Sequence, residues 1–313
     1  MPQSIALIGE CMIELHGQPG ATLQQNFGGD TFNTAAYLAR LIADRGWRVE
    51  YVSALGRDTF SDAMLARWAQ EQVHHRLTAR LDAHLPGLYI IETDTAGERR
   101  FHYWRSESAA RLMFDDIADG SSRLEQLCAM DVIYLSGISL AILTVTGRAR
   151  LFETLAKARQ GGTRVVFDNN YRPRLWPDRE TAERSYRQLL NYVDTAIVTE
   201  DDDRALYGHQ SLSVLIDWYA DKGVSELVIK RGAGSCVIVS SAGREEVVAE
   251  QVAQVVDTTA AGDAFSAGYL ACRLQGGSRQ TAASWGHRLA ATVIQHRGAV
   301  IERALMPEMP ALG

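Results

Sequence analysis

Apolar runs of strand length recur along the chain, and they are largely continuous rather than alternating with polar residues. IALIG (5–9), VEYVSAL (49–55), VIYLSG (132–137), RVVFDN (164–169), TAIVT (195–199) and ELVIKRG (226–232) read this way. Continuous runs of this kind mark strands buried on both faces. Between them, NTAAYLARLIA (33–43), DAMLARWAQEQ (62–72), TGRARLFETLAKARQ (146–160) and SLSVLIDWYADKG (211–223) carry apolar residues at helical spacing. Strand and helix in alternation predict right-handed crossovers and a mainly parallel sheet flanked by helices. No linker, low-complexity tract or internal repeat breaks the pattern, so residues 1–313 are expected to form one α/β domain.

One segment departs from this rhythm. PGLYIIETDTAGERRFHYWR (86–105) holds two strand-like runs joined by the turn-prone DTAG, with no helix between them. It predicts a hairpin. Its second arm alternates, with Phe101, Tyr103 and Arg105 on one face and His102 and Trp104 on the other. Such a hairpin suits a lid over a ligand site, and equally a plain extension of a sheet edge.

Composition narrows the class. Hydrophobic residues make up 46% of the 313 and charged residues 22%, which excludes a disordered chain. A net charge of −6 argues against general affinity for nucleic acid or acidic membranes. Cys11, Cys128, Cys236 and Cys272 show no metal-binding spacing and are expected to be reduced, buried thiols. MPQSIALIGECMIEL has neither the charged leader nor the cleavage site of a signal peptide, and no apolar run is long enough to cross a bilayer. The expectation is a cytoplasmic protein.

Two small-residue stretches stand before helical runs: FGGDTFNTAAYLARL (27–41) and DTTAAGDAFSAGYL (257–270). Small residues let a ligand approach the backbone, and the N–H groups that open a helix bind anions. An acid there repels an anion unless it has a chemical task, which raises the question of Asp263. Taken alone, Gly28-Gly29 reads as turn chemistry more than as a site, and Asp263 reads equally as an ordinary acid at a helix start or as a functional one. Neither stretch fits GxGxxG or GxxxxGK[ST], so a dinucleotide fold and a Walker-type loop both lose support.

The two stretches together resemble the paired signatures of the PfkB family of carbohydrate kinases. With GECMIEL, LPGLYIIETDTAGERRFHYWR, YLSGISLAIL, FDNNYRPRLW and VIKRGAGSC, the resemblance runs from Ile5 to Pro307. Within the family it is closest to the bacterial kinases of 2-keto-3-deoxygluconate. It implies a ribokinase-like fold with a small β-lid supplied mainly by 86–105, and the use of ATP and Mg²⁺. Asp263 then becomes the catalytic base, with Ala260, Ala261 and Gly262 cradling the transferring phosphoryl group. Phosphoryl transfer agrees with such a site, since it needs positioning and charge neutralisation rather than covalent help.

The resemblance also implies substrate contacts from Gly28, Gly29, Asp30 and Asn33, with Glu14 nearby. Asn170, Lys230, Gly232, Gly234 and Ser235 fall on its nucleotide side. Its acidic element linked to Mg²⁺ falls on Glu200 to Asp203, without assigning a metal ligand. A sugar acid brings a carboxylate, which a guanidinium holds in a planar fork. Arg105 and Arg172 match positions around such an acid, with Tyr89 and Tyr103 supplying hydroxyls. The expected reaction is phosphorylation of 2-keto-3-deoxygluconate. Alternatives are a PfkB kinase of a neutral ketose or aldose, a non-catalytic sugar-acid sensor, and a dehydrogenase. An unpaired lid edge makes a homodimer or larger homo-oligomer the expectation.

Overall fold

A computed structural model describes residues 3–93, 99–115 and 120–309. Its centre is a nine-stranded sheet. Strands Glu226–Lys230, Thr195–Thr199, Arg164–Asp168, Val132–Ser136, Gln3–Ile8, Trp47–Val52 and Val73–His74 lie side by side in parallel, in that order. The hairpin Ser235–Ser240 and Gly243–Val248 adds an antiparallel end beyond Lys230. The six predicted runs all appear, although 49–55 is divided at Ser53 into Trp47–Val52 and Ala54–Leu55.

Both faces of this sheet are covered, which is why the runs are continuous. Ile5 and Leu7 pack into one core with the helices Asp30–Ile42, Ala261–Leu274 and Arg279–Val293. Ala6 and Ile8 pack into the other, with the helices Val145–Gln160 and Arg179–Leu190. Successive side chains of one strand thus enter opposite layers. Cys11, Cys236 and Cys272 are buried and Cys128 is partly exposed, all four as free thiols. Among the described residues no helix is long and apolar enough to cross a membrane.

A second sheet of four strands stands over the first, in the order Gln24–Gly28, Met12–His16, Leu88–Thr93, Arg99–Trp104. Its last two strands are the predicted hairpin, paired Tyr89 to Tyr103 and Leu88 to Trp104. The DTAG turn (94–97) lies outside the described residues. The other two strands come from the N-terminal region, where MIELH reads weakly because it is short and partly polar. Met12–His16 pairs in parallel with Leu88–Thr93, a contact between segments far apart in sequence.

Candidate active site

In an open parallel sheet, ligands collect where the strands' carboxyl ends converge. Here that edge forms the floor of a cavity of about 490 Å³, with the small sheet as its roof. Asp168 and Asn170 reach the floor from one strand, Thr199 and Lys230 from the next two, and Asp30, Asn33 and Asp263 from two helix starts. Met12, Tyr89, Phe101, Tyr103 and Arg105 line it from the roof. Phe101, Tyr103 and Arg105 share the cavity face, as the alternation predicts.

Ala261–Leu274 opens without a side-chain cap. Ala260 precedes it at φ 61°, ψ 15°, a left-handed backbone that a non-glycine residue adopts only under surrounding constraint. The buried Asp257 supplies constraint nearby, accepting 2.8 Å bonds from the N–H groups of Thr259 and Gly298. Ala264 closes the first turn on the Ala260 carbonyl, and the Ala261 N–H turns back to Thr258. Gly262 and Asp263 stand in the first turn, where N–H groups find no intrahelical acceptor at the positive end of the helix. The Lys230 ammonium lies 3.5 Å from where a Cβ on Gly262 would stand, so the opening holds fixed positive charge without bulk.

Asp263 sits at the cavity floor, open to it on one side and surrounded by protein elsewhere. Its Oδ2 accepts a 2.8 Å bond from the Asn33 amide. Burial, then the charges of Asp30 and Asp168, push its pKa up from 3.8 to about 7, against the opposing pull of Asn33 and Lys230. A carboxylate so displaced is matched to proton transfer near neutrality. Asp168 is in turn held by Lys230 Nζ at 2.8 Å and the Ser266 hydroxyl at 2.9 Å.

Beyond the helix start lies a second cavity of about 490 Å³ with a different chemistry. Val252, Val255, Phe265, Ala290, Ala291 and Ile294 make its wall largely apolar. Lys230, Thr258, Ala261 and Gly262 line both cavities. Gly232 lines this second space, and Gly232, Gly234 and Ser235 line a smaller one beside it. Asn170, placed with the nucleotide side by the resemblance, lines the polar cavity together with Lys230 and donates a 2.7 Å bond to Asp30.

Both candidate arginines line the polar cavity, and each meets an acid: Glu10, which sequence reasoning left out, and Asp202, a member of the acidic run. Arg105, with its side chain 11% exposed, donates to Glu10, which is 1% exposed. The Arg105 Nε and Glu10 Oε1 atoms are buried without hydrogen-bond partners among the described residues. Arg172 is more open and pairs with Asp202 at 3.1 Å. Glu10 directly follows a predicted strand end, a signal that points to the ligand edge of the sheet; Asp168 carries the same signal.

Gly29 and Gly28 are steric requirements. A Cβ on Gly29 would stand 2.2 Å from the Glu10 carbonyl, and one on Gly28 would stand 2.4 Å from the Tyr89 hydroxyl. Gly29 lines the cavity, whereas Gly28 and Glu14 are set behind Tyr89. In the acidic run, Asp203 is buried and bound to His209 at 2.5 Å, and Glu200 pairs with Arg231 and Arg204. Asp201 and Asp202 are the members that line the polar cavity. No group of three or more potential metal ligands occurs among the described residues. Two carboxylates lining this cavity suit Mg²⁺ that arrives on a nucleotide, keeps most of its waters and takes one or two protein oxygens.

Residues 2–304 match the family model for pfkB family carbohydrate kinases. The chain is 50% identical over 308 residues to the 2-dehydro-3-deoxygluconokinase of Dickeya dadantii, covering 97% of this chain and 99% of that one. It is 49% identical over 310 residues to the enzyme of the same name from Escherichia coli K12, covering 98% and 100%. The solved structure of a fructokinase with bound ATP from Xylella fastidiosa superposes with a TM-score of 0.84 at 24% identity, covering 99% of this chain and 96% of that one. A polar cavity roofed by the small sheet, an apolar cavity and an uncapped helix start between them agree with the family match, and the chain belongs to the pfkB family of carbohydrate kinases.

Proposed function

We propose that this chain transfers the γ-phosphoryl group of ATP to the terminal hydroxyl of 2-keto-3-deoxygluconate, also called 2-dehydro-3-deoxygluconate, giving the 6-phosphate. The observation that carries this reading is the meeting of the two cavities at Ala261 and Gly262, with Lys230 in both. The nucleotide base and ribose take the apolar side, and the sugar acid takes the polar side under the lid. Asp263 accepts the hydroxyl proton while the sugar oxygen bonds to phosphorus and the bond to the ADP oxygen breaks. The N–H groups of Gly262 and Asp263, with the Lys230 ammonium, neutralise charge on the equatorial oxygens. Mg²⁺ arriving on ATP would supply further charge neutralisation at the phosphates, and Asp201 and Asp202, which line the polar cavity, would be the residues to hold it. Arg105 and Arg172 take the sugar-acid carboxylate. The small sheet acts as a lid that closes with sugar bound, and its unpaired edges support a homodimer in solution.

Coupled measurement of ATP consumption over sugar acids and neutral sugars tests the assignment. Turnover should favour 2-keto-3-deoxygluconate over fructose and ribose. A preference for a neutral sugar would support the second reading, a PfkB kinase of a ketose or aldose. That reading draws on one observation, the acid already paired with each arginine.

A further inference from the structure

The register of the small sheet aligns one residue from each strand: Asn26, Glu14, Tyr89 and Tyr103. Residues directly opposite one another in a sheet share a face. Tyr89 and Tyr103 line the polar cavity, with their rings stacked 5.7 Å apart. Glu14 is 2% exposed and lies behind Tyr89, whose hydroxyl donates to Glu14 Oε2. The other carboxylate oxygen faces His16 Nε2 at 3.7 Å. Gly28 closes the remaining side, since a Cβ there would stand 3.0 Å from Glu14 Oε2 as well as against the phenol.

A phenol has one proton to donate. Given to Glu14, it leaves only oxygen lone pairs for the cavity. Burial and the neighbouring Glu14 charge push the Tyr89 phenol above the ordinary tyrosine range, so the proton stays on the oxygen. Arg105 stands two residues beyond Tyr103 on the same face and offers only donors. The roof therefore presents an acceptor at one place and a cation at another.

We propose that Glu14 is a positioning residue for substrate selection: by taking the Tyr89 proton it makes this tyrosine an acceptor toward the cavity, one that reads a substrate hydroxyl. The inference rests on the reading of this cavity as the sugar-acid site. It also orients the substrate, because a carboxylate or keto oxygen is refused at Tyr89 and directed toward the arginines. Glu14 touches no reacting atom, and its effect passes through Tyr89.

The test is a double-mutant cycle with the full-length enzyme at saturating MgATP, reading kcat and KM for 2-keto-3-deoxygluconate and checking folding by thermal melting. Wild-type turnover of the sugar acid is established first, so failure of the functional reading is seen separately; if only a neutral sugar is phosphorylated, the same cycle runs on that sugar. Glu14→Leu removes the acceptor and should raise KM about tenfold with a smaller change in kcat. Glu14→Gln keeps an acceptor oxygen and should stay within about threefold of wild type, which guards against a leucine variant that merely folds poorly. Added to Tyr89→Phe, Glu14→Leu should cost almost nothing further in KM. Equal KM penalties for Glu14→Leu with and without Tyr89→Phe would overturn the proposal, as would a glutamine variant no better than leucine.

Discussion

Removing Arg105 should have two separable consequences, because its partner Glu10 is almost completely buried. With Arg105→Leu, a carboxylate that is 1% exposed loses its cation partner. Breaking a buried pair from one side costs about 3–5 kcal/mol. For a chain of 313 residues that corresponds to a fall in Tm of about 5–8 °C. Adding Glu10→Gln removes the stranded charge, so the double variant Arg105→Leu/Glu10→Gln should recover most of that Tm. Catalysis should not recover, since the guanidinium is still missing. Loss of a hydrogen-bonded cation facing the substrate carboxylate is worth about 2–5 kcal/mol, or roughly 30-fold to several thousand-fold in kcat/KM. The assays are a melting curve and kcat/KM on the sugar acid and on its reduced, uncharged analogue. A double variant as unstable as the single would show that the pair is not what Glu10 needs. Equal losses on the acid and on the uncharged analogue would show that Arg105 does not read the carboxylate.

Asp263→Asn should retain ATP and sugar binding and lose at least about a hundredfold in kcat, and near-normal turnover in a folded variant would remove Asp263 from the base role. Because its folded pKa is raised to about 7, Asp263 is protonated below that value, so kcat/KM should rise with pH through about 7 and level above it. A profile that is flat between pH 5 and 8 would contradict the displacement. Gly28→Ala places a methyl 2.4 Å from the Tyr89 oxygen and should raise KM for the sugar roughly tenfold through displacement of that phenol, measured against an unchanged KM for ATP. Hydrogen exchange in 86–105 should slow when the sugar acid binds, and equal protection in both states would make the small sheet a fixed extension.

Much of the architecture is legible locally. A run such as IALI buries both faces, so the chain itself specifies a covered parallel sheet. The small residues of GGD and TAAGD are equally local, because they permit backbone approach whatever the partner. Tyr103 and Arg105 fall on one face through the strand period alone, and the structure places both on the cavity. The small sheet was only half legible: the 86–105 hairpin has strong strand character, whereas Met12–His16 becomes a strand by pairing with Leu88–Thr93.

Long-range pairing decided the rest. Glu10 meets Arg105 across 95 positions, Lys230 meets Asp168 across 62, and Asn33 meets Asp263 across 230. No local period carries such separations, which arise only when strand ends converge on one edge. The apolar cavity is assembled in the same way, from Val252 and Val255 in a loop and from Phe265 and Ile294 at separate helical segments, residues that read singly as core. Glu14 shows the limit most directly. By sequence it is an acid near a sugar site, but only the packed sheet sets Tyr89 in front of it and turns its charge from a ligand contact into the orientation of a phenol. Residue types and local spacing determined which chemistry was available, and the tertiary structure decided which groups face one another, because hydrogen-bond direction and burial are properties of neighbours rather than of residues.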